Sequence, residues 1–299
     1  MGTLALTRHR PALPALAATA ALLFPVALAG QQTSAPARQP DVHFVPTDTT
    51  KVREMLSAAN VTASDTVYDL GCGDGRFVIA AVKKYKAQRG VCVDIDPARI
   101  KESKSNADTA GVRKKIEFVE GDLFEQDLSP ATVITLYLLP SLNERLRPKL
   151  FREVRPGTRI VSNAFDMGDW KADRTMTIKT NSGMQSYAYL WVIPADVSGQ
   201  WRLTTEGGSA GEYTLDVKQK YQEVSGTATS GGKAAPLTNF SVKGDQVSFA
   251  VGDGADRTEF TGTVSDDKAS GTVKGKGGSS WSAVRTKPGE RPDTLNTGT

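Results

Sequence analysis

The chain has 299 residues, of which 39% are hydrophobic and 23% are charged, and its formal net charge is +4 at pH 7. These values are typical of a globular protein and argue against a disordered or collagen-like chain. Two cysteines are too few for a scaffold held by disulfides, and two histidines leave little room for a histidine-built metal centre. The small net charge indicates no concentrated basic face, so we expect no nucleic-acid partner.

The amino-terminal segment, residues 1–29, has the pattern of a signal peptide. A basic start precedes an apolar run, no acidic residue occurs before Asp41, and Ala27-Leu28-Ala29 is a small-x-small cleavage pattern. Prolines interrupt the run and disfavour a membrane-spanning helix, although an uncleaved anchor is the alternative. We therefore expect a periplasmic or secreted protein with no stable membrane span after signal removal. A linker rich in Ser, Ala, Pro and Gln follows over residues 30–40.

Residues 41–194 alternate short apolar strands with amphipathic helices, which is typical of a doubly wound, Rossmann-like α/β sheet. The predicted strands cover residues 66–70, 90–94, 116–120, 132–138 and 159–164, and the predicted helices cover 51–59, 76–85, 97–110 and 142–153. Two further strands, 175–179 and 185–192, are expected to complete the sheet as an antiparallel edge.

Residues 195–286 change to period-two alternation interrupted by glycine-rich turns. This pattern predicts a small all-β antiparallel barrel or meander, with room for roughly eight strands. We interpret its apolar stripes as a core of its own, and a pocket for an apolar ligand is the alternative. The remaining residues, 287–299, are rich in Pro, Gly and Thr and are expected to form a disordered tail.

A glycine-rich loop directly follows the first strand of the α/β region. That strand carries Asp69 and runs into Gly71-Cys72-Gly73-Asp74-Gly75-Arg76. Alternate glycines permit a sharp turn and a close approach of backbone N–H groups to a ligand. A dinucleotide fingerprint requires a small residue where Arg76 stands, and no Gly-Lys-Ser/Thr follows as in a phosphate loop. An acid at Asp69 suits a cationic ligand better than a pyrophosphate.

Two more carboxylates, Asp94 and Asp122, stand at the ends of the next two predicted strands. The carboxyl ends of adjacent parallel strands form the ligand crevice of an open α/β sheet. A carboxylate at the end of the second strand is suited to gripping a ribose diol. The alternative, in which the glycines only make a turn, leaves the three acids unexplained.

The chain resembles the class I methyltransferases that use S-adenosylmethionine (SAM) through three successive motifs, Asp69-x-Gly71-x-Gly73-x-Gly75, Asp94 and Gly121-Asp122. The resemblance covers about half of the chain. It implies that Asp69 and the glycine loop face the methionine end of SAM and that Asp94 binds the ribose hydroxyls. It also implies that Asp122 binds the adenine amine, with Ile95 or Leu123 packing against the base.

A narrower resemblance rests on His43-Phe44-Val45-Pro46-Thr47 before the loop and on Leu136-Tyr137-Leu138-Leu139-Pro140 after it. These segments are similar to those of bacterial relatives of the ATP-synthase c-subunit lysine methyltransferases. The resemblance implies that the Pro-Thr segment folds over the cofactor and that the residues after the fourth strand border the acceptor. The carboxyl-terminal meander departs from the compact pattern of that group.

Candidate residues for the acceptor side are fewer. Tyr137 is the candidate catalytic residue, with ordinary strand packing as the alternative. The fourth strand lacks the Asn/Asp-Pro-Pro-aromatic motif, which disfavours methylation of adenine N6 or glutamine. Thr47 is a candidate contact of the cofactor or the substrate, or else the N-cap of the following helix. Asp166 and Trp170 follow the fifth strand, where an acid and an aromatic ring are suited to a cationic acceptor, and a solvated loop is the alternative.

No divalent metal is expected, because two nearby acids without a supporting Asn/His cluster give too few ligands. His43 is interpreted as structural, with general-base catalysis as the alternative. Cys72 and Cys92 are interpreted as small buried side chains, and in an oxidising compartment pairing between them is the alternative.

The sequence therefore predicts a SAM-dependent methyltransferase for a nitrogen or oxygen acceptor, on a protein or a small molecule, with protein lysine as the leading choice. The alternative is an exported protein whose barrel binds an apolar ligand and whose methyltransferase-like domain is catalytically silent. Because SAM is made in the cytosol, an exported enzyme needs a cofactor supply that the sequence does not reveal.

Overall fold

A computed structural model describes residues 1–3, 42–207, 211–252, 254, 257–275 and 279–290. Apart from residues 1–3, the expected signal peptide and linker lie outside the described residues, as does the expected tail beyond residue 290. Among the helices in the described ranges, none combines the length and the apolar character that a membrane crossing requires.

The first part of the described chain forms a seven-stranded sheet with the strand order β3-β2-β1-β4-β5-β7-β6. Its strands are β1 (Thr66–Leu70), β2 (Arg89–Asp94), β3 (Ile116–Glu120), β4 (Val133–Leu136), β5 (Arg159–Asn163), β6 (Arg174–Lys179) and β7 (Gln185–Val192). The first five strands are parallel, β7 pairs antiparallel with β5, and β6 pairs antiparallel with β7. This arrangement confirms the predicted Rossmann-like sheet with an antiparallel edge.

Helices cover both faces of this sheet. They are α1 (Thr49–Ala58), α2 (Arg76–Lys84), α3 (Pro97–Ala110) and α4 (Pro140–Glu153), with a 3₁₀ turn at Arg113–Lys115. Buried side chains of α1, α2 and α3 share one apolar cluster, and those of α4 share the cluster on the opposite face. Coverage on both faces explains why β1 and β4 are almost entirely buried rather than alternating. Helix α4 begins at Pro140, earlier than predicted, because proline suits the first position of a helix.

The second part forms a closed antiparallel barrel, which confirms the predicted class of the carboxyl-terminal region. Its strands are β8 (Gly199–Glu206), β9 (Glu212–Lys220), β10 (Glu223–Ser230), β11 (Lys233–Lys243), β12 (Gln246–Val251), β13 (Thr258–Ser265), β14 (Lys268–Lys274) and β15 (Ser280–Pro288). Consecutive strands pair from β8 to β15, and β15 pairs antiparallel with β8, so the sheet closes on itself.

Aromatic side chains fill the interior of this barrel. The Phe249 ring stacks on Phe240 and Phe260 with centroids 5.2 and 4.8 Å apart, and Trp281 meets Phe249 edge-on at 5.8 Å. The cavity among these side chains measures about 30 Å³. That volume corresponds to about one water molecule. The structure therefore does not favour the alternative of an apolar ligand held inside the barrel.

The turn between β9 and β10 docks the barrel onto the α4 face of the sheet. Tyr221 in this turn is buried, and its ring lies 5.8 Å from both Phe151 and Trp170. The Tyr221 hydroxyl donates to Asp169 at 2.9 Å, and the Trp170 indole donates to Gln222 at 2.8 Å. Because these polar groups are paired across a buried aromatic cluster, the contact joins the barrel and the sheet through packing as well as hydrogen bonds.

Candidate active site

A cavity of about 450 Å³ lies at the carboxyl ends of the parallel strands. Its volume is within the range of about 300 to 1,000 Å³ found for small-molecule sites. Its walls come from the ends of β3, β2, β1, β4 and β5 and from the chain before α1. Of the predicted site residues, those that line it are Thr47, Asp69, Gly71, Asp94, Ile95, Asp122, Leu123 and Tyr137.

The other two glycines of the motif shape the loop without lining the cavity. The Gly73 N–H donates to the Asp94 carboxylate at 2.8 Å, which attaches the loop to the end of β2. Gly75 has a φ of 79° and precedes α2, and a Cβ there would lie 2.9 Å from the Cβ of Ser103 in α3. The third glycine of the motif therefore permits the close helix packing that a residue with a side chain would prevent.

Cys72 and Cys92 form a disulfide between the glycine loop and β2. The sequence left their pairing open. Both side chains are buried, and Cys72 also lines the cavity. The bond places a covalent link directly beneath the glycine loop.

Asp69 is the most deeply buried acid of the cavity. Its side chain accepts a hydrogen bond of 2.6 Å from Thr135 on the neighbouring strand. Burial raises the pKa of Asp69 to about 7, and repulsion from Asp94 and Asp74 acts in the same direction. The hydrogen bond from Thr135 and the positive charge of Arg76 oppose this rise. A cation that enters the cavity would stabilise the ionised form of Asp69.

The carboxylates that follow the next two strands are held by backbone N–H groups. Asp94 accepts from Gly73 at 2.8 Å and from Asp96 at 2.9 Å, while burial raises the pKa of Asp94. Asp122 accepts from the N–H of Phe124 at 2.9 Å. Each carboxylate oxygen has more than one lone pair, so the two bonds to Asp94 orient this group and leave acceptor capacity for a ligand.

Residues 42–47, the N-terminal strap, form one wall of the cavity. The Phe44 ring packs so closely on Gly73 that a Cβ at this glycine would overlap it, and Arg99 lies over the same ring at 5.0 Å from its centroid. The Arg76 guanidinium donates to the Thr47 carbonyl oxygen. These contacts of Phe44, Arg76 and Arg99 were not predicted from the sequence. They depend on the strap lying against the glycine loop, which is distant in sequence.

The structure shows that Thr47 is not the N-cap of α1. The N-cap of α1 is Asp48, whose side chain accepts from the N–H of Thr50 at 2.8 Å. Thr47 is buried and lines the cavity instead, and its hydroxyl accepts a hydrogen bond from Asn163 at 3.2 Å.

Apolar and aromatic side chains line the cavity beyond Asp69, at the ends of β4 and β5. The rings of Tyr137 and Phe165 are stacked with centroids 6.3 Å apart. Leu138, Leu139 and Leu142 line the same part of the cavity. Leu139 is 40% exposed, so this part borders solvent.

Asp166 and Trp170 do not line the cavity, and their role as substrate contacts stays a prediction. Trp170 is only 1% exposed and belongs to the aromatic cluster that receives the barrel. Asp166 is exposed outside the cavity. The neighbouring Asp169, another acid of this loop, is paired with Arg147 at 2.6 Å and Lys220 at 3.1 Å. The loop after β5 therefore serves the docking of the barrel, which the sequence of the loop alone does not reveal.

Comparison with known proteins identifies the family. The family model of the ANTKMT methyltransferase domain matches residues 69–174. A protein-lysine N-methyltransferase from Saccharolobus islandicus is 43% identical over 154 residues, which cover 52% of this chain and 95% of that protein. The chain belongs to the methyltransferase family of that protein. The residues that the family model matches end before the first barrel strand.

Two further relatives of this methyltransferase bear names with different acceptors. The human ATP synthase c-subunit lysine N-methyltransferase is 28% identical over 130 residues, covering 44% of this chain and 54% of that protein. A crystal structure described as an RNA methyltransferase from Salinibacter ruber with S-adenosyl-L-homocysteine is 50% identical. The match covers 51% of this chain and 96% of the Salinibacter ruber chain, with a TM-score of 0.48.

The cofactor of this methyltransferase is SAM, and the cavity fits it chemically. SAM carries positive charge at its sulfur and its amino group, and the cavity contains a buried carboxylate at Asp69. Its ribose hydroxyls are hydrogen-bond donors, which suit the fixed acceptor oxygens of Asp94. Ile95 and Leu123 offer apolar contact for the purine near Asp122.

We expect ligand affinity to depend on the ionisation of Asp69. As the pH falls below 7, Asp69 becomes protonated and loses its attraction for an ammonium group. The affinity for S-adenosylhomocysteine, measured by calorimetry on the full chain, should therefore fall about tenfold per pH unit below pH 6 and be constant above pH 8.

The matched ligand is 5′-methylthioadenosine, which keeps the adenine and the ribose but lacks the amino-acid group expected at Asp69. Its affinity should change little over the same pH range. The Asp69→Asn variant should bind S-adenosylhomocysteine weakly at every pH. Equal pH dependence for both ligands, or an unchanged dependence in Asp69→Asn, would show that Asp69 does not bind the amino group.

Proposed function

We propose that this enzyme transfers the methyl group of SAM to the side-chain amine of a lysine in a protein. In this assignment Asp69 holds the ammonium group of SAM, Asp94 holds the ribose hydroxyls and Asp122 holds the adenine amine. The part of the cavity around Tyr137 and Phe165 receives the lysine.

The observation that carries the proposal is the order of side chains along the sheet edge. Carboxylates stand at the ends of β3, β2 and β1, and the aromatic residues Tyr137 and Phe165 follow at the ends of β4 and β5 in the same cavity. The acids suit an elongated ligand with hydroxyl and ammonium donors. The apolar end suits the methylene stem of a lysine.

Bound SAM supplies a methyl group on a positively charged sulfur, which an aligned nucleophile can displace in line. The protein residues align the acceptor and exclude water. Because Leu138, Leu139 and Phe165 contribute apolar surface to this part of the cavity, they disfavour a charged amine and so favour the neutral form with a free lone pair.

The names of the relatives support lysine as the acceptor. The Saccharolobus islandicus relative is named a protein-lysine N-methyltransferase, and the human relative is named for the lysine of a protein subunit. The second candidate from the sequence, an exported protein with a ligand-binding barrel, loses its support because the interior of the barrel is filled.

The acceptor class can be tested with methyl-labelled SAM and the full chain. Three acceptors are compared: unfolded protein, the same protein with its lysines dimethylated beforehand, and total RNA. We expect label in the unfolded protein and its loss when the lysines are blocked. Transfer to RNA, or transfer to protein that survives the block, would contradict a lysine acceptor.

Tyr137 provides the matched variant for this experiment. Tyr137→Ala should lower the rate of labelling at least about tenfold, because the acceptor loses one wall of its site. The same variant should bind S-adenosylhomocysteine with unchanged affinity. A parallel loss of cofactor affinity would place Tyr137 in the cofactor site instead.

We further infer that the enzyme is exported and that its signal peptide ends at Ala29. The support is twofold: the basic and apolar pattern of residues 1–29, and the disulfide between Cys72 and Cys92. Disulfides persist in oxidising compartments and are rare in the cytosol. An exported enzyme requires that SAM, which is made in the cytosol, reaches the same compartment.

Fractionation of a Gram-negative host that produces the full chain tests this inference. We expect a periplasmic protein that begins at Gly30 and whose two cysteines resist alkylation after denaturation without reductant. Leu23→Arg, which interrupts the apolar run, should leave an uncleaved cytosolic chain with reactive cysteines. An uncleaved cytosolic parent protein with reactive thiols would contradict export.

A further inference from the structure

Lys51 in the first turn of α1 is a buried cation that lies behind the cavity wall. It is only 5% exposed, and its ammonium group donates to the Asn163 side-chain oxygen and, at 2.5 Å, to the Ser186 hydroxyl. Burying a positive charge is unfavourable unless polar partners or an anion compensate it. Burial lowers the pKa of Lys51, and the nearby Asp48 carboxylate opposes that effect.

The contacts of Lys51 determine how the next two side chains are oriented. An ammonium group only donates hydrogen bonds, so Asn163 must turn its oxygen toward Lys51. Its amide nitrogen then faces Thr47 and donates to the hydroxyl at 3.2 Å. Because the Thr47 oxygen accepts this bond, the hydroxyl retains its own hydrogen as a donor.

Thr47 is held on two sides at the cavity wall. Its backbone carbonyl accepts from Arg76, and the Arg76 guanidinium is itself paired with both oxygens of Asp74. The residue is fixed through its backbone on one side and through its hydroxyl on the other, and it lines the cavity. The chain Lys51–Asn163–Thr47 therefore ends in a hydrogen-bond donor at the cavity wall, with a positive charge behind it.

The amino-acid end of SAM carries a carboxylate on the same carbon as its ammonium group. The acids Asp69, Asp94 and Asp122 attract the ammonium group and the hydroxyls of the ligand, but they repel its carboxylate. A site that binds this end therefore needs a donor near a positive charge, on a wall that the three acids do not occupy.

We propose that Thr47, polarised by Lys51 through Asn163, binds the carboxylate of the methionine part of SAM. This assignment rests on the proposed function, in which the amino-acid end of SAM lies at Asp69. It makes Thr47 a binding residue and Lys51 a positioning residue that acts through Asn163.

Decarboxylated SAM is the probe that isolates this contact, because it keeps the sulfonium and the ammonium but lacks the carboxylate. Both ligands are titrated by calorimetry into the full chain and into Thr47→Val, which replaces the hydroxyl with a methyl group of similar size. Loss of a hydrogen bond to a charged group should weaken SAM binding about tenfold or more. Decarboxylated SAM should bind parent and variant with affinities within about twofold of each other.

Two further variants test whether the hydroxyl donor and the charge behind it, rather than the shape of the site, determine the affinity. Thr47→Ser retains the hydroxyl and should bind SAM within about threefold of the parent. Lys51→Met removes the charge with little change in length and should weaken SAM more than decarboxylated SAM. The unfolding midpoint of each variant is measured, so that a folded state is established before its affinity is read.

The outcomes distinguish this inference from the proposed function. If Thr47→Val weakens both ligands equally or neither of them, Thr47 does not bind the carboxylate. If Lys51→Met leaves the affinity for SAM unchanged, Lys51 does not act through Asn163. If the folded parent protein binds neither ligand, the proposed function fails, and the assignment of Thr47 fails with it.

Discussion

The attachment of the glycine loop to the end of β2 is the constraint on which the rest of the site depends. The Gly71 N–H donates to a carbonyl oxygen of β2 at 2.8 Å, the Gly73 N–H donates to Asp94, and the Cys72–Cys92 disulfide joins the same two segments. Because Gly73 has no side chain, Phe44 of the N-terminal strap packs directly on this attached loop. Helix α2 then begins from this fixed loop. The cavity is the space that the attached loop, the strap and the strand ends leave between them.

The distribution of charge around this space explains how it selects a ligand. Ionising Asp69 in the ligand-free protein is unfavourable, because its pKa is raised to about 7 in the folded state. Above that pH the folded protein holds a buried negative charge that lowers its stability relative to an exposed carboxylate. A cationic ligand removes this unfavourable interaction, so part of the binding energy comes from relief of the desolvated charge. Lys51 behind the opposite wall has the complementary effect on an anionic group.

Much of this arrangement could be predicted from the sequence, because it follows from local rules. Asp69, Asp94 and Asp122 end consecutive strands of a parallel sheet, and such ends meet at one edge whatever the details of packing. The role of Trp170 could not be predicted, because it depends on the barrel turn at Tyr221, far along the chain. Lys51 resembles an ordinary surface lysine of a helix. Its burial depends on hydrogen bonds to Asn163 and Ser186, which are 112 and 135 positions away in the sequence. Aromatic stripes in the barrel suit either a core or a ligand cage, and the choice depends on how completely eight strands close around them.

The most direct test of the account is a crystal structure of the full chain with S-adenosylhomocysteine. The account predicts a single extended ligand along the strand ends, with the adenine beside Asp122, the ribose hydroxyls on Asp94 and the amino group at Asp69. The sulfur should face the part of the cavity that Tyr137 and Phe165 line, which receives the acceptor. A ligand bound in the reverse direction, or bound at the barrel rather than along the sheet edge, would contradict it.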